Sequence, residues 1–297
     1  MTKVPLKIVA IGEILWDVFP DGRRFGGAPA NFASSASELS SSEDKIAIVS
    51  AVGEDLLGDE SIQALKERGV ITTFVQRNPH PTGRVDIQLD AQGLASYQFA
   101  EDCAWDRLIW SQKLKELAVE SDVVCFGTLG QRSIHSRQTI HQFLNHTKPT
   151  TLRIFDINIR QPYFQEALIE SSLKLANILK LNDEELPILA AACKLTGSDE
   201  AILSALCKRF DLRLAALTRG GNGSTVVTTD HQITTLGGEV KVADTVGAGD
   251  AFTASLAVHL LRGMELERAC EHANALAAYV CSQSGATMPF PVHLKLN

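Results

Sequence analysis

The chain has 297 residues, 45% apolar and 21% charged, enough to bury one large core or one core with a small appendage. A formal net charge of -7, with no basic run to override it, excludes nucleic acid as the main partner. No apolar run reaches the length of a membrane span, and Cys103, Cys125, Cys193, Cys207, Cys270 and Cys281 form no CxxC pair.

Reduced core thiols in a soluble, cytoplasmic protein are therefore expected. Met1–Ala10 carries lysines and a short apolar run without a signal-peptide pattern, and Lys7–Ile11 reads as a buried strand. Further strand-length apolar runs follow at Ile46–Val49, Val123–Phe126, Leu152–Ile157, Ile178–Leu181 and Leu214–Leu217. Helix-period segments lie between them at Ala30–Leu39, Leu56–Arg68, Ile134–Phe143, Tyr163–Leu173 and Ala201–Phe210. Continuous apolar strands alternating with amphipathic helices predict a mostly parallel sheet covered on both faces, within a single domain over 1–297.

Two stretches break the alternation. Ile14–Phe19 and Arg23–Phe25 flank the turn signal Pro20-Asp21-Gly22, and Val70–Arg77, Arg84–Leu89 and Ser96–Phe99 read as further strands, with a turn at Asp90–Gly93. Their alternating polarity predicts a small antiparallel β extension, from about 14–26 and 70–100, beside the main domain. Ligands of open α/β sheets bind at the carboxyl ends of the strands, so this extension could act as a lid. Its apolar Ile87, Leu89 and Phe99 suggest pairing with a second copy, hence a homodimer.

The most informative segment is Asp244-Thr245-Val246-Gly247-Ala248-Gly249-Asp250, which runs into an apolar helix pattern. Small residues at a helix start let backbone N–H groups approach an anion at the positive end of the dipole. An acid within that cradle is what phosphoryl transfer to an alcohol requires, although acids also favour first turns for the dipole alone. Gly26-Gly27-Ala28-Pro29-Ala30-Asn31 opens another helix; Pro29 suits its first turn, but Asn31 among alanines is unexplained by helix initiation. Asp17 is either a solvated strand acid or an acceptor for sugar hydroxyls.

Asp156, Asn158 and Arg160 are spaced two apart at a strand end and are expected to share a face. Asn182 and Glu185 have capping-box spacing, and the alternative is a hydrated Mg²⁺ near phosphates. Leu217–Ser224 reads as strand, glycine turn and strand, suited to a hairpin or a nucleotide wall. A Walker loop, a first-strand dinucleotide fingerprint, paired histidines at i, i+4 and Gly-x-Ser-x-Gly are all absent from the sequence. Their absence disfavours oxidoreductase, zinc-protease and serine-hydrolase readings.

In this order the motifs resemble the ribokinase-like (PfkB) family of sugar kinases, from about Ile8 to Met288. Gly12–Phe19, Gly26–Phe32, Phe126–Arg132 and Phe155–Arg160 are most similar to fructokinases. The resemblance implies a three-layer α/β/α domain with a β lid and ATP-dependent phosphorylation of a sugar's primary hydroxyl. Asp250 would be the base, and Gly247, Ala248 and Gly249 the anion hole. It further implies sugar contacts from Asp17, Gly26, Gly27, Asn31 and Arg160, and nucleotide contacts from Asn182, Thr218, Gly220, Gly223, Gly249 and Asn274. Glu185 would hold Mg²⁺ through water. Asp244 and the Val246 carbonyl resemble a monovalent-cation (K⁺) site completed from Ser282–Gly285. Another sugar (2-keto-3-deoxygluconate or ribose) and a non-catalytic sugar-binding regulator are the alternatives.

Overall fold

The computed structural model describes residues 4–89, 95–160, 163, 165–238 and 240–295. The first elements are β1 (Lys7–Ile11), β2 (Leu15–Phe19), β3 (Gly22–Gly26), α1 (Ala28–Leu39), β4 (Lys45–Gly53), α2 (Leu56–Glu67), β5 (Val75–Asn78), β6 (Gly83–Leu89) and β7 (Ala95–Phe99). Next come α3 (Gln112–Glu120), β8 (Val123–Phe126), α4 (Ile134–Asn145), β9 (Leu152–Asp156), α5 (Glu166–Leu175), β10 (Ile178–Asn182), α6 (Glu185–Cys193) and α7 (Asp199–Phe210). The last are β11 (Leu214–Thr218), β12 (Ser224–Val227), β13 (Gln232–Thr235), α8 (Ala248–Leu261) and α9 (Leu266–Cys281).

The apolar runs form one nine-stranded sheet, ordered β13-β12-β11-β10-β9-β8-β1-β4-β5. Pairing is parallel from β11 through β5, and β12 and β13 are added antiparallel at one edge. Alternate side chains of each strand enter two separate cores, so both faces must be covered. Ile8, Ile46, Val123, Ile154 and Ala216 pack with α1, α8 and α9. Val9, Val49, Val124, Phe155 and Leu217 pack with α3 to α7 on the other face. The result is the expected three-layer α/β/α architecture.

The small sheet has order β3-β2-β6-β7. Two expectations about it need correction. Val70–Arg77 does not belong to it, because β5 pairs in parallel with Ser50–Gly53 and becomes the edge of the main sheet. Nor is it wholly antiparallel: β2 and β6 run parallel, since the chain leaves for α1, β4, α2 and β5 before returning. The turn expected at Asp90–Gly93 lies outside the described residues.

Trp16 and Asp17 point to opposite faces of β2. Trp16 donates from Nε1 to Ser61 Oγ at 2.9 Å, and neighbouring Arg23 pairs with Glu60 at 2.6 Å, so α2 holds the outer face. On the inner face Ile87 is covered by Leu15, Val85, Cys103, Trp105 and Leu129 of the same chain. Its burial therefore calls for no second copy. Five of the six cysteines are buried and none is bridged. No helix among the described residues is long and apolar enough to cross a membrane.

Candidate active site

β1 has β4 on one side and β8 on the other, so the order of strands reverses beside it, the position where open α/β sheets bind ligands. Glu13 follows β1, Asp156 ends β9, Asn182 ends β10 and Thr218 ends β11. The starts of α1 and α8 close onto the same end of the sheet.

Gly247 caps α8 in a left-handed conformation with φ 80°, where a Cβ would also lie 2.7 Å from Ala286. Glycine is thus required twice, for conformation and for space. α8 begins without a side-chain cap; Ala248 N donates to the Thr245 carbonyl at 3.3 Å, and the Gly249 amide follows at the positive end of the dipole. Asp250 follows in the first turn, partly exposed in the cleft.

Asn31 is buried on α1 and donates from Nδ2 to Asp250 Oδ2 at 2.9 Å. That contact explains the polar residue among alanines. Desolvation, with the Asp156 charge, pushes the Asp250 pKa up to about 6, against Lys180, the Asn31 hydrogen bond and Arg160.

Asp17 sits against Gly26, whose missing Cβ would lie 3.0 Å from Asp17 Oδ2. Burial raises its pKa, while Arg160 and Arg24 pull it down. Gly27 is the residue before α1, beside the Glu13 carbonyl. The Asp156/Asn158/Arg160 cluster does not share one face. β9 stops at Asp156, and Asn158 turns left-handed at φ 43°. Asp156 is buried, whereas Arg160 is exposed and its charge is felt by Glu13, Asp17 and Asp250.

Asn182 and Glu185 form the reciprocal helix-start pair that their spacing predicts. Glu185 N donates to Asn182 Oδ1 at 2.8 Å, and Asn182 N to Glu185 Oε2 at 2.9 Å. The other oxygen, Oε1, accepts from Ile159 N at 2.8 Å, which joins the ends of β9 and β10. Burial raises the Glu185 pKa against the pull of Lys180.

Thr218 pairs with Asn182 across β10 and β11, ahead of a tight turn at Gly220–Asn222 and then Gly223. Asn274, on α9, donates to Ser224 Oγ of β12 at 2.9 Å. Asp244 accepts from Val246 N at 3.0 Å and from Gly285 N at 3.1 Å, so the Asp244–Val246 turn lies beside the Ser282–Gly285 loop.

Two charged residues at this end of the sheet gained no role from sequence. Lys180 lies in the apolar run Ile178–Leu181, and its ammonium pairs with Asp156 Oδ1 at 3.1 Å. Glu13 is 3% exposed, and its Oε2 has no hydrogen-bond partner among the described residues. Burial pushes the Glu13 pKa up to about 7; its own amide and Arg160 oppose this, and Asp250 adds to it. A charged residue inside or abutting a buried strand was the signal in each case, because such residues are almost never fully buried without a reason.

The arrangement combines a glycine-rich helix start suited to an anion with a carboxylate in its first turn, held by Asn31. Comparisons with known proteins agree with that chemistry. The family model described as pfkB family carbohydrate kinase matches residues 12–293. A protein of Pyrococcus horikoshii described as an uncharacterized sugar kinase is 30% identical over 94% of this chain and 91% of its own. Its crystal structure, also solved with ATP, superposes with a TM-score of 0.80, covering 94% of this chain and 93% of that one. A fructokinase of Vibrio alginolyticus is 26% identical over 96% of both chains. The 2-dehydro-3-deoxygluconokinase of Thermotoga maritima, at 16% identity, shares the fold with a TM-score of 0.84, covering 98% of this chain and 97% of that one. The chain belongs to the pfkB family of carbohydrate kinases and is an ATP-dependent sugar kinase.

Proposed function

We propose that the sugar is D-fructose, converted with ATP to fructose 6-phosphate and ADP. Asp250 orients the C6 hydroxyl and takes its proton as the oxygen attacks the γ-phosphorus. The Gly247–Gly249 amides receive the charge that develops on the phosphoryl oxygens. The observation that carries this reading is the Asn31–Asp250 hydrogen bond, which fixes a carboxylate at the start of α8. Asp17, Gly26, Gly27, Asn31 and Arg160 bound the sugar, and Thr218, Gly220, Gly223 and Asn274 bound the nucleotide.

Glu185 fits a hydrated Mg²⁺: both oxygens already accept amide protons, leaving lone pairs for metal-bound water. No cluster of three His, Cys, Asp or Glu residues forms a closed metal cage among the described residues, and a magnesium shared with phosphates needs none. Bound there, the ion would neutralise phosphate charge. Asp244 and Val246 would hold K⁺.

Support for fructose comes from the fructokinase relative matched over 96% of both chains. A homodimer through the small sheet would use exposed surface such as Tyr97, and light scattering reads its mass. The sugar assignment is tested by a panel of fructose, ribose, 2-keto-3-deoxygluconate and glucose with coupled ADP detection. Fructose is expected to give the highest kcat/KM. A higher value for the sugar acid overturns the assignment.

A further inference from the structure

The ammonium of Lys180 lies against the first turn of α8, at the helix start proposed above to hold the phosphoryl group. Its partner Asp156 is held on the other side by Thr253, whose hydroxyl donates to Asp156 Oδ2 at 2.9 Å. The same hydroxyl lies 2.9 Å from the Gly249 carbonyl, so the network is tied to the first turn of α8. Lys180, Asp156 and Thr253 are all buried. A Cβ on Gly249 would lie 2.7 Å from Lys180 Nζ, which places the ammonium directly against the glycine whose amide lines the cradle. Among the described residues, the Asp156 carboxylate is the one hydrogen-bond partner of that ammonium. Its remaining N–H groups lie beside the helix start that receives the anion.

A single structural ion pair does not account for this arrangement. Burying a lysine is unfavourable, and one carboxylate anchor leaves donor capacity unused in a place where water is restricted. Burial pulls the ammonium toward deprotonation, but Asp156, Glu185 and Asp250 outweigh it and hold the proton on. Lys180 is therefore a fixed cation among the candidate base, the candidate magnesium-side acid and the anion cradle.

We propose that Lys180 is a catalytic residue of the kinase, donating a charged hydrogen bond to the phosphoryl group in transfer, with Asp156 and Thr253 as its positioning residues. The sugar oxygen forms the new bond to the γ-phosphorus as the bond to the β-phosphate oxygen breaks. The hydroxyl proton passes to Asp250, ADP leaves with the bonding pair, and Lys180 keeps its proton throughout. This assignment rests on the reading of Gly247–Asp250 as the phosphoryl-transfer centre.

The test is steady-state kinetics of Lys180→Met and Asp156→Asn against wild type. Lys180→Met is expected to lower kcat about 100-fold, with the KM values for sugar and ATP within threefold. Asp156→Asn keeps the ammonium and is expected to lose about tenfold. The two variants should move the acid limb of the kcat–pH profile in opposite directions. Lys180→Met raises it because Asp250 loses a cation; Asp156→Asn lowers it because Asp250 loses an anion. General destabilisation does not produce that split.

Lys180→Gln removes the charge but retains a donor to Asp156, and carries the same expectation if the methionine variant does not fold. The proposal is overturned if loss of the charge leaves kcat within threefold, raises only KM, or leaves the acid limb in place. Full turnover in Asp250→Asn would instead overturn the reading of the centre itself.

Discussion

Glu13 and Asp250 are acids whose desolvation opposes ionisation, and the consequences differ because only Asp250 is proposed to meet the reacting hydroxyl. For Glu13 the native pKa of about 7 stands above the unfolded value of 4.5, so the native state binds the extra proton between those limits. Stability from this group is complete below pH 4.5 and is lost as pH rises through about 7. Glu13→Gln removes that ionisation, and thermal melts should show it more stable than wild type by roughly 3 kcal/mol at pH 8. At pH 4 the two should differ little; equal stability at both pH values would contradict the assignment. For Asp250 the base must be ionised, so kcat/KM for the sugar should fall tenfold per unit below about pH 6. A flat profile from pH 7 to pH 5 would argue against proton transfer to this group.

At the scale of elements, the small sheet is not a free flap, because Trp16, Arg23 and Phe25 fasten it to α2. The Trp16 and Phe25 rings meet edge to face at 5.4 Å, and Arg68 lies over Phe25. Asp17 leaves the opposite face of the same strand, so the fastening also fixes the residue proposed to bind the sugar. Trp16→Ala should therefore cost about 2 kcal/mol in denaturant unfolding and raise the sugar KM about tenfold, with the ATP KM unchanged. An unchanged sugar KM would mean that Asp17 is positioned by β3 and β6 alone. The parallel β2–β6 pair explains why this sheet was harder to read than the main one. Alternating polarity marks a one-sided sheet, but strand direction depends on a detour through α1, β4, α2 and β5 that no local pattern encodes. For the same reason the sequence reading places Val70–Arg77 in the small sheet, whereas β5 pairs with β4.

Across the whole molecule, the layers were legible because buried parallel strands and one-sided helices carry strong periodic signals. The start of α8 was legible because glycines and an acid at a helix start have few other uses in combination. Asn31 was visible as a polar residue in an apolar helix, and the structure supplies its partner. Lys180, inside the run Ile178–Leu181, and Glu13, inside Gly12–Phe19, have no role legible in sequence, since their meaning depends on residues brought together from β9, α1 and α8. The two-residue spacing of Asp156, Asn158 and Arg160 predicts a shared face that the structure lacks, because the left-handed Asn158 ends the strand periodicity.

The central claim is that Asp250 is the proton acceptor within an anion-binding helix start. The most direct measurement is ADP formation by Asp250→Asn, with sugar and ATP affinities followed by calorimetry on the same preparation. The account predicts affinities within threefold of wild type and turnover reduced by about 1,000-fold or more, since base and orientation are lost together. Turnover within tenfold of wild type, at unchanged affinities, would contradict it.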